Sequence, residues 1–196
     1  MAKFINFEAQ KFSVSSYQSR FCDIIQQVDK QAIEGAIALI LEAWQAGRKI
    51  FTCGNGGSAL AASHFITDWN KSIFMATGRP FYGICLNDNI GLLTAYANDV
   101  SYEDVFREQL KNFMSPKDLL LVISGSGNSP NVLRAVEYAN ENGGKTLAFC
   151  GFDGGKVKSL AQHAVWVPCH DMQICEDIHL VLGHMVMKAL CGAPIK

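Results

Sequence analysis

The chain has no apolar run approaching the ~20 residues that cross a bilayer, and no CxxC pair among its cysteines. The first absence argues against a membrane-spanning helix, the second against a zinc knuckle or a disulfide framework. Its seven cysteines, at positions 22, 53, 85, 150, 169, 175 and 191, are odd in number and scattered. That usage fits reduced, mostly buried thiols and predicts a cytoplasmic location. An excess of either charge is missing too. The 17 Lys and Arg against 18 Asp and Glu leave a formal net charge of −1, which excludes a general affinity for nucleic acid or an anionic membrane surface. The opening stretch, Met1 to Glu8, interrupts its hydrophobicity with polar groups too early for a signal peptide. Neither a repeat, a low-complexity tract nor a linker is found. The 196 residues therefore read as one domain, 1–196, with a sizeable core.

What is present is a change of period near residue 48. Before it, Phe12, Val14, Tyr17, Phe21, Ile24, Ile25 and Val28 recur at helical spacing, predicting a helix over Asn6 to Asp29. A second helix is predicted over Gln31 to Ala46, with Ile33, Ile37, Ile40, Leu41 and Trp44 on one face and Gly47 as its stop. After it, apolar strands at 49–53, 81–86, 118–123, 145–150 and 164–168 alternate with helical stretches near 58–71, 90–97, 102–113, 129–142 and 174–191. Leu119 to Ile123 is apolar throughout, as in a strand buried on both faces. Repeated βα units of this kind predict a parallel α/β core over 48–196. The helices of 1–47 carry an apolar stripe that the core does not obviously cover, which points to packing against a partner subunit.

Two Gly/Ser-rich loops carry the chemistry. Lys49 to Thr52 runs into Cys53-Gly54-Asn55-Gly56-Gly57-Ser58, and Leu119 to Ile123 runs into Ser124-Gly125-Ser126-Gly127-Asn128-Ser129; a helix follows each. Such loops leave backbone N–H groups uncovered, add hydroxyl donors and sit at a helix N-terminus, where negative charge is favoured. Two of them point to a phosphorylated small molecule. In a parallel sheet both fall at carboxyl strand ends, on one rim. The plainer alternatives are a tight turn needing φ > 0 for Asn55, Gly56 and Gly57, and a serine-rich helix cap for Ser124, Ser126 and Ser129. Elsewhere, His64 and Asp68 are four apart on one helix and share a face, as do Glu176 and His184, eight apart on another. Two imidazoles and two carboxylates from two helices suit a divalent metal or an acid–base pair, although spacing alone says little.

The run Cys53-Gly-Asn-Gly-Gly-Ser58 with Ala62-Ser63-His64-Phe65, together with Ser124-Gly-Ser-Gly-Asn-Ser129, resembles the sugar isomerase (SIS) domain family. His64, Asn98-Asp99 and His184 narrow the resemblance to its phosphoheptose isomerase branch, from about residue 30 to the end. The resemblance implies a flavodoxin-like three-layer α/β sandwich on a five-stranded parallel sheet, with extra N-terminal helices. It also implies a cytoplasmic homotetramer with sites at subunit boundaries, and aldose–ketose isomerisation of sedoheptulose 7-phosphate to a heptose 7-phosphate.

For the residues, it implies that Asn55, Gly56, Gly57, Ser58, Ser124, Gly125, Ser126 and Ser129 bind substrate and phosphate, with Glu176 also on substrate. Asn98 and Asp99 contact the sugar, although a helix stop and N-cap explain that pair equally well. His64, Asp68, Glu176 and His184 hold a divalent metal, Zn2+, and Asp68 and His184 move protons. His163, His170 and His179 have no assigned counterpart. Two residues depart from the branch: Asp68 stands where glutamate is usual and Glu176 where glutamine is usual, so a different sugar phosphate is conceivable. A non-catalytic SIS module, a sugar-phosphate binder or a partner of the bacterial replication initiator, is the rival reading. It needs no acid–base set, whereas this chain keeps one. A regulatory or lyase-type domain for amino-sugar phosphates ranks last, because the domain fills the chain.

Overall fold

The computed structural model describes residues 12–192. Its strands are β1 (Ile50–Gly54), β2 (Gly83–Cys85), β3 (Leu119–Ser124), β4 (Lys145–Cys150) and β5 (His163–Trp166). All pair in parallel, in the order β2-β1-β3-β4-β5. The helices are α1 (Val14–Gln27), α2 (Lys30–Gln45), α3 (Gly57–Asp68), α4 (Phe74–Thr77), α5 (Ile90–Asp99), α6 (Val105–Phe113), α7 (Pro130–Glu141), α8 (Val157–Leu160) and α9 (Met172–Cys191).

Side chains alternate across a strand, and here that alternation divides the core. Leu119, Leu121 and Ile123 of β3 pack with residues of α2, α3 and α9, while Leu120 and Val122 pack with α6 and α7. Helices therefore cover both faces of the sheet, giving the expected three-layer α/β sandwich. Tyr17, Phe21, Ile24 and Ile25 of α1 are partly buried against the first of these clusters. The Tyr17 hydroxyl donates to Asp177 Oδ2 at 2.6 Å and Arg20 pairs with Asp171 at 3.2 Å, both on or beside α9.

Local chemistry accounts for the helix ends. Ser13 caps α1, Asp29 caps α2 and Asp171 caps α9, each side chain accepting from a first-turn N–H. Residues 6–11 of the first expected helix lie outside the described residues. Two expected helices are more broken than their periodicity suggested. The one over 58–71 leaves α-geometry after Asp68, passes through a π-turn at Trp69–Ile73 and ends in α4 at Gly78, with φ +71°. The one over 102–113 opens as a 3₁₀ turn, Tyr102–Asp104, before α6. Buried Asp104 accepts from Ser101 Oγ at 2.7 Å and pairs with Arg107 at 2.9 Å and Arg134 at 2.7 Å. Burial alone would raise its carboxyl pKa; Ser101 and the two arginines outweigh burial and hold it below the ordinary value.

Candidate active site

In the strand order β2-β1-β3-β4-β5, β1 and β3 are neighbours whose following helices cover opposite faces, α3 on one and α7 on the other. The two loops therefore diverge and leave a crevice at the carboxyl ends of the strands, where ligands of open α/β sheets bind. A cavity of about 290 Å³ lies there. It is lined by Asn55, Gly56, Gly57 and Ser58 from one loop and by Ile123, Ser124, Gly125, Ser126 and Ser129 from the other, with Met172 and Glu176 of α9.

Backbone geometry suits this wall to an anion. Gly56 has φ +55°, a conformation that disfavours any side chain, and starts α3 with no side-chain cap. Ser129 stands at the N-cap of α7, yet its hydroxyl makes no capping bond. The simple capping explanation for this serine therefore fails. Ser124 Oγ accepts from Gly127 N at 3.1 Å, which folds the loop and leaves the hydroxyl proton to be donated. Helix N-termini, loop amides and the hydroxyls of four serines thus share one concavity. None of the residues lining it is basic, and one is acidic. Glu176 lies so close to Gly57 that a Cβ there would sit 2.6 Å from its carboxyl carbon. Burial, and then Asp177, raise the Glu176 pKa.

Asn55 ties the two loops together. Its Nδ2 donates to Asn131 Oδ1 and its Oδ1 accepts from Asn131 Nδ2, both at 2.9 Å; the Tyr102 hydroxyl donates to the same Oδ1 at 2.9 Å. Both lone pairs of that oxygen are taken, so the side chain braces the loop. The Asp104–Arg134 pair anchors the turn that carries Tyr102.

The second half of the site lies farther along the two helices. His64 Nε2 and His184 Nε2 are 2.9 Å apart, and Asp68 Oδ2 lies 3.4 Å from the first and 3.7 Å from the second. All three side chains are partly exposed. Two imidazole nitrogens and a carboxylate oxygen converging this closely suit a zinc-type ion. Among the described residues this is the group so arranged.

The structure thus brings together the two loops as one set and His64, Asp68 and His184 as another. Glu176 belongs to the first set, against Gly57, and is not a member of the His–Asp–His group. Asn98 and Asp99 lie exposed at the end of α5, bonded to one another at 2.8 Å, and do not line the cavity of this chain. Met172, Ile123, Asn131 and Tyr102 were not singled out as site residues in the sequence. Asn131 carried a usable signal: a buried amide in a first helical turn must find a partner.

Comparison with known proteins bears on the family and the fold. The profile of the SIS domain family matches residues 16–151. A phosphoheptose isomerase of Citrifermentans bemidjiense is 37% identical over 155 residues, 79% of this chain and 80% of that protein. The structure of phosphoheptose isomerase from Neisseria gonorrhoeae superimposes with a TM-score of 0.84 at 28% identity, covering 91% of this chain and 95% of the other. That of Francisella tularensis superimposes with a TM-score of 0.83 at 26% identity, covering 93% and 100%.

Proposed function

This chain belongs to the SIS domain family and is a phosphosugar isomerase, and on that premise we propose that it interconverts sedoheptulose 7-phosphate and a heptose 7-phosphate. The observation that carries the reading is the separation of the two half-sites along shared helices. Ser58 and His64 are six residues apart on α3, and Glu176 and His184 are eight apart on α9. At 1.5 Å per residue these are spans of roughly 9 and 12 Å. An open seven-carbon chain with a terminal phosphate spans on the order of 10 Å from phosphorus to its first carbons, given bonds of about 1.5 Å. A phosphate on Gly56, Gly57, Ser124, Ser126 and Ser129 therefore sets C1 and C2 beside Asp68 and His184.

Proton transfer follows from that position. A base takes the proton from C1 of the ketose, the C–H electron pair becomes the C1–C2 double bond, and O2 is protonated to give an enediol. O1 then gives up its proton and forms the C1=O bond, while the C1–C2 double-bond pair takes up a proton at C2. Asp68 and His184 divide this work, and remote phosphate binding holds the carbons in line for it. His64, Asp68 and His184 fit a divalent metal, Zn2+, which when bound supplies Lewis-acid polarisation of the carbonyl. Glu176 acts on substrate at the cradle.

The protein works as a cytoplasmic homotetramer. Support for assembly comes from an apolar groove between α1 and α9 that includes His184, and from Leu60 and Met75, which are 75% and 74% exposed. Asn98 and Asp99 then meet sugar across a subunit boundary. None of the helices among the described residues is long and apolar enough to cross a membrane.

The test is a chain-length series. Purified protein is given sedoheptulose 7-phosphate, fructose 6-phosphate and ribulose 5-phosphate, and products are followed by NMR. Turnover of the seven-carbon ketose with little or none of the five-carbon one is expected. Equal turnover of all three, or none, overturns the proposal.

A further inference from the structure

His64 and Asp68 are on α3 and His184 is on α9, so their mutual distances depend on how closely these two helices cross. The residues at the crossing are each one position away from them. Phe65 follows His64, Trp69 follows Asp68, and Gly183 precedes His184. Phe65 and Trp69 are both buried and stack with ring centroids 5.3 Å apart at 16°, forming one flat wall. The Gly183 backbone rests against that wall. A Cβ at 183 would stand 2.6 Å from Phe65 Cζ, well inside carbon–carbon contact. Glycine is what lets α9 come this near. The approach is then latched, because Trp69 Nε1 donates to the Gly183 carbonyl at 3.1 Å in a buried setting. The π-turn begins at Trp69 itself, where the widened backbone departs from the path a regular α-helix would follow.

We propose that Phe65, Trp69 and Gly183 form an interlock that sets the separation between His184 and the His64–Asp68 pair, making Trp69 and Gly183 positioning residues for proton transfer and metal holding. The inference rests on the function proposed above. It distinguishes this crossing from ordinary core packing, because the phosphate cradle lies two turns away along α9 and is not displaced with it. A methyl at 183 meets Phe65 Cε1 and Cδ1 even before Cζ, so the ring and the two helices must part by more than about 1 Å to restore a normal contact. A misplacement of that size costs roughly 10²-fold in rate.

The test compares wild type with Trp69→Phe, Gly183→Ala and the double variant Phe65→Leu/Gly183→Ala, in which the lost ring atoms make room for the methyl. Four readouts are taken on each full-length protein: Tm, kcat and KM for sedoheptulose 7-phosphate, affinity for inorganic phosphate, and Co2+ affinity from visible absorption. Gly183→Ala is expected to lower kcat about 100-fold and to weaken Co2+ binding about tenfold or more. KM and phosphate affinity should stay within about twofold of wild type. Trp69→Phe should fall in between, and the double variant should recover part of both losses. If Gly183→Ala does not fold, Trp69→Phe, which keeps the ring, decides alone. Variants that lose only Tm, with kcat and Co2+ affinity unchanged, overturn the interlock. A wild type that neither turns over the sugar phosphate nor binds Co2+ overturns the proposed function instead.

Discussion

Nε2 of His64 and Nε2 of His184 lie 2.9 Å apart although 120 residues separate them in the chain. Asp68 Oδ2 lies 3.4 Å and 3.7 Å from these nitrogens and can balance a cation held between them. Exhaustive chelation should therefore lower kcat at least tenfold, with Zn2+ restoring it. Metal-free protein of full activity, verified by elemental analysis, would remove the metal from the account.

Asn55, Asn131 and Tyr102 brace the phosphate cradle, and the cost of losing each partner should follow burial. Asn131 is 2% exposed and Tyr102 is 53% exposed. Asn131→Ala leaves Nδ2 of the partly buried Asn55 amide without its partner, at about 1–3 kcal/mol, so KM should rise roughly 10- to 100-fold. Tyr102→Phe removes one hydrogen bond open to solvent and should raise KM only a few-fold. A kcat loss at constant KM in both variants would contradict a role in phosphate holding.

Glu176 is an acid beside a site for a phosphate. Burial and Asp177 raise its pKa, so the carboxyl carries its charge only above that raised value. Glu176→Gln should lower KM for the sugar phosphate near pH 8, with the advantage fading as the pH falls and the wild-type carboxyl becomes neutral. The stability sign agrees. A raised folded-state pKa means that the folded protein holds the proton longer, so wild type loses stability relative to the glutamine variant as pH rises. KM profiles of the two proteins that superimpose across pH 5–8 would show that the cradle does not sense this charge.

His179 is wholly buried against Phe149, and neither ring nitrogen has a hydrogen-bond partner among the described residues. Burial pushes its pKa down to about 4, and the nearby Cys150 backbone offsets this only in part without reaching bonding geometry. The folded protein keeps this ring neutral while the unfolded chain binds a proton below about 6.5. The stability it carries is complete above that pH and is lost as pH falls towards 4, by about 3 kcal/mol in all. Denaturation of wild type and His179→Leu should diverge over this window, the variant losing less. Parallel curves would assign the acid sensitivity to other groups.

The sheet and the two loops were legible because each rests on local order: apolar runs, and glycine and serine at strand ends. The i, i+4 spacing offered only His64 and Asp68; the family resemblance, not spacing, joined His184 to them. What was not legible depends on three-dimensional registration. Glu176 and His184 share a face of α9, and that face passes both half-sites, so spacing could not say which one Glu176 serves. The Asn55–Asn131 pair joins residues 76 apart and exists only because β1 and β3 are neighbours. The π-turn after Asp68 has no composition signal; it becomes intelligible only with Trp69 seen against Gly183. Asn98 and Asp99 read equally as a helix end and a sugar contact, and within this chain they are exposed at the end of α5.

Transfer of the carbon-bound proton is the most direct measure of the central claim. Sedoheptulose 7-phosphate is incubated in D2O with wild type, Asp68→Asn and His184→Ala, and deuterium at C2 of the heptose 7-phosphate is followed by NMR. Wild type should form deuterated product, and each variant should slow it by about 10²- to 10⁴-fold while still binding inorganic phosphate. Variants that form product at the wild-type rate would contradict the account at its centre.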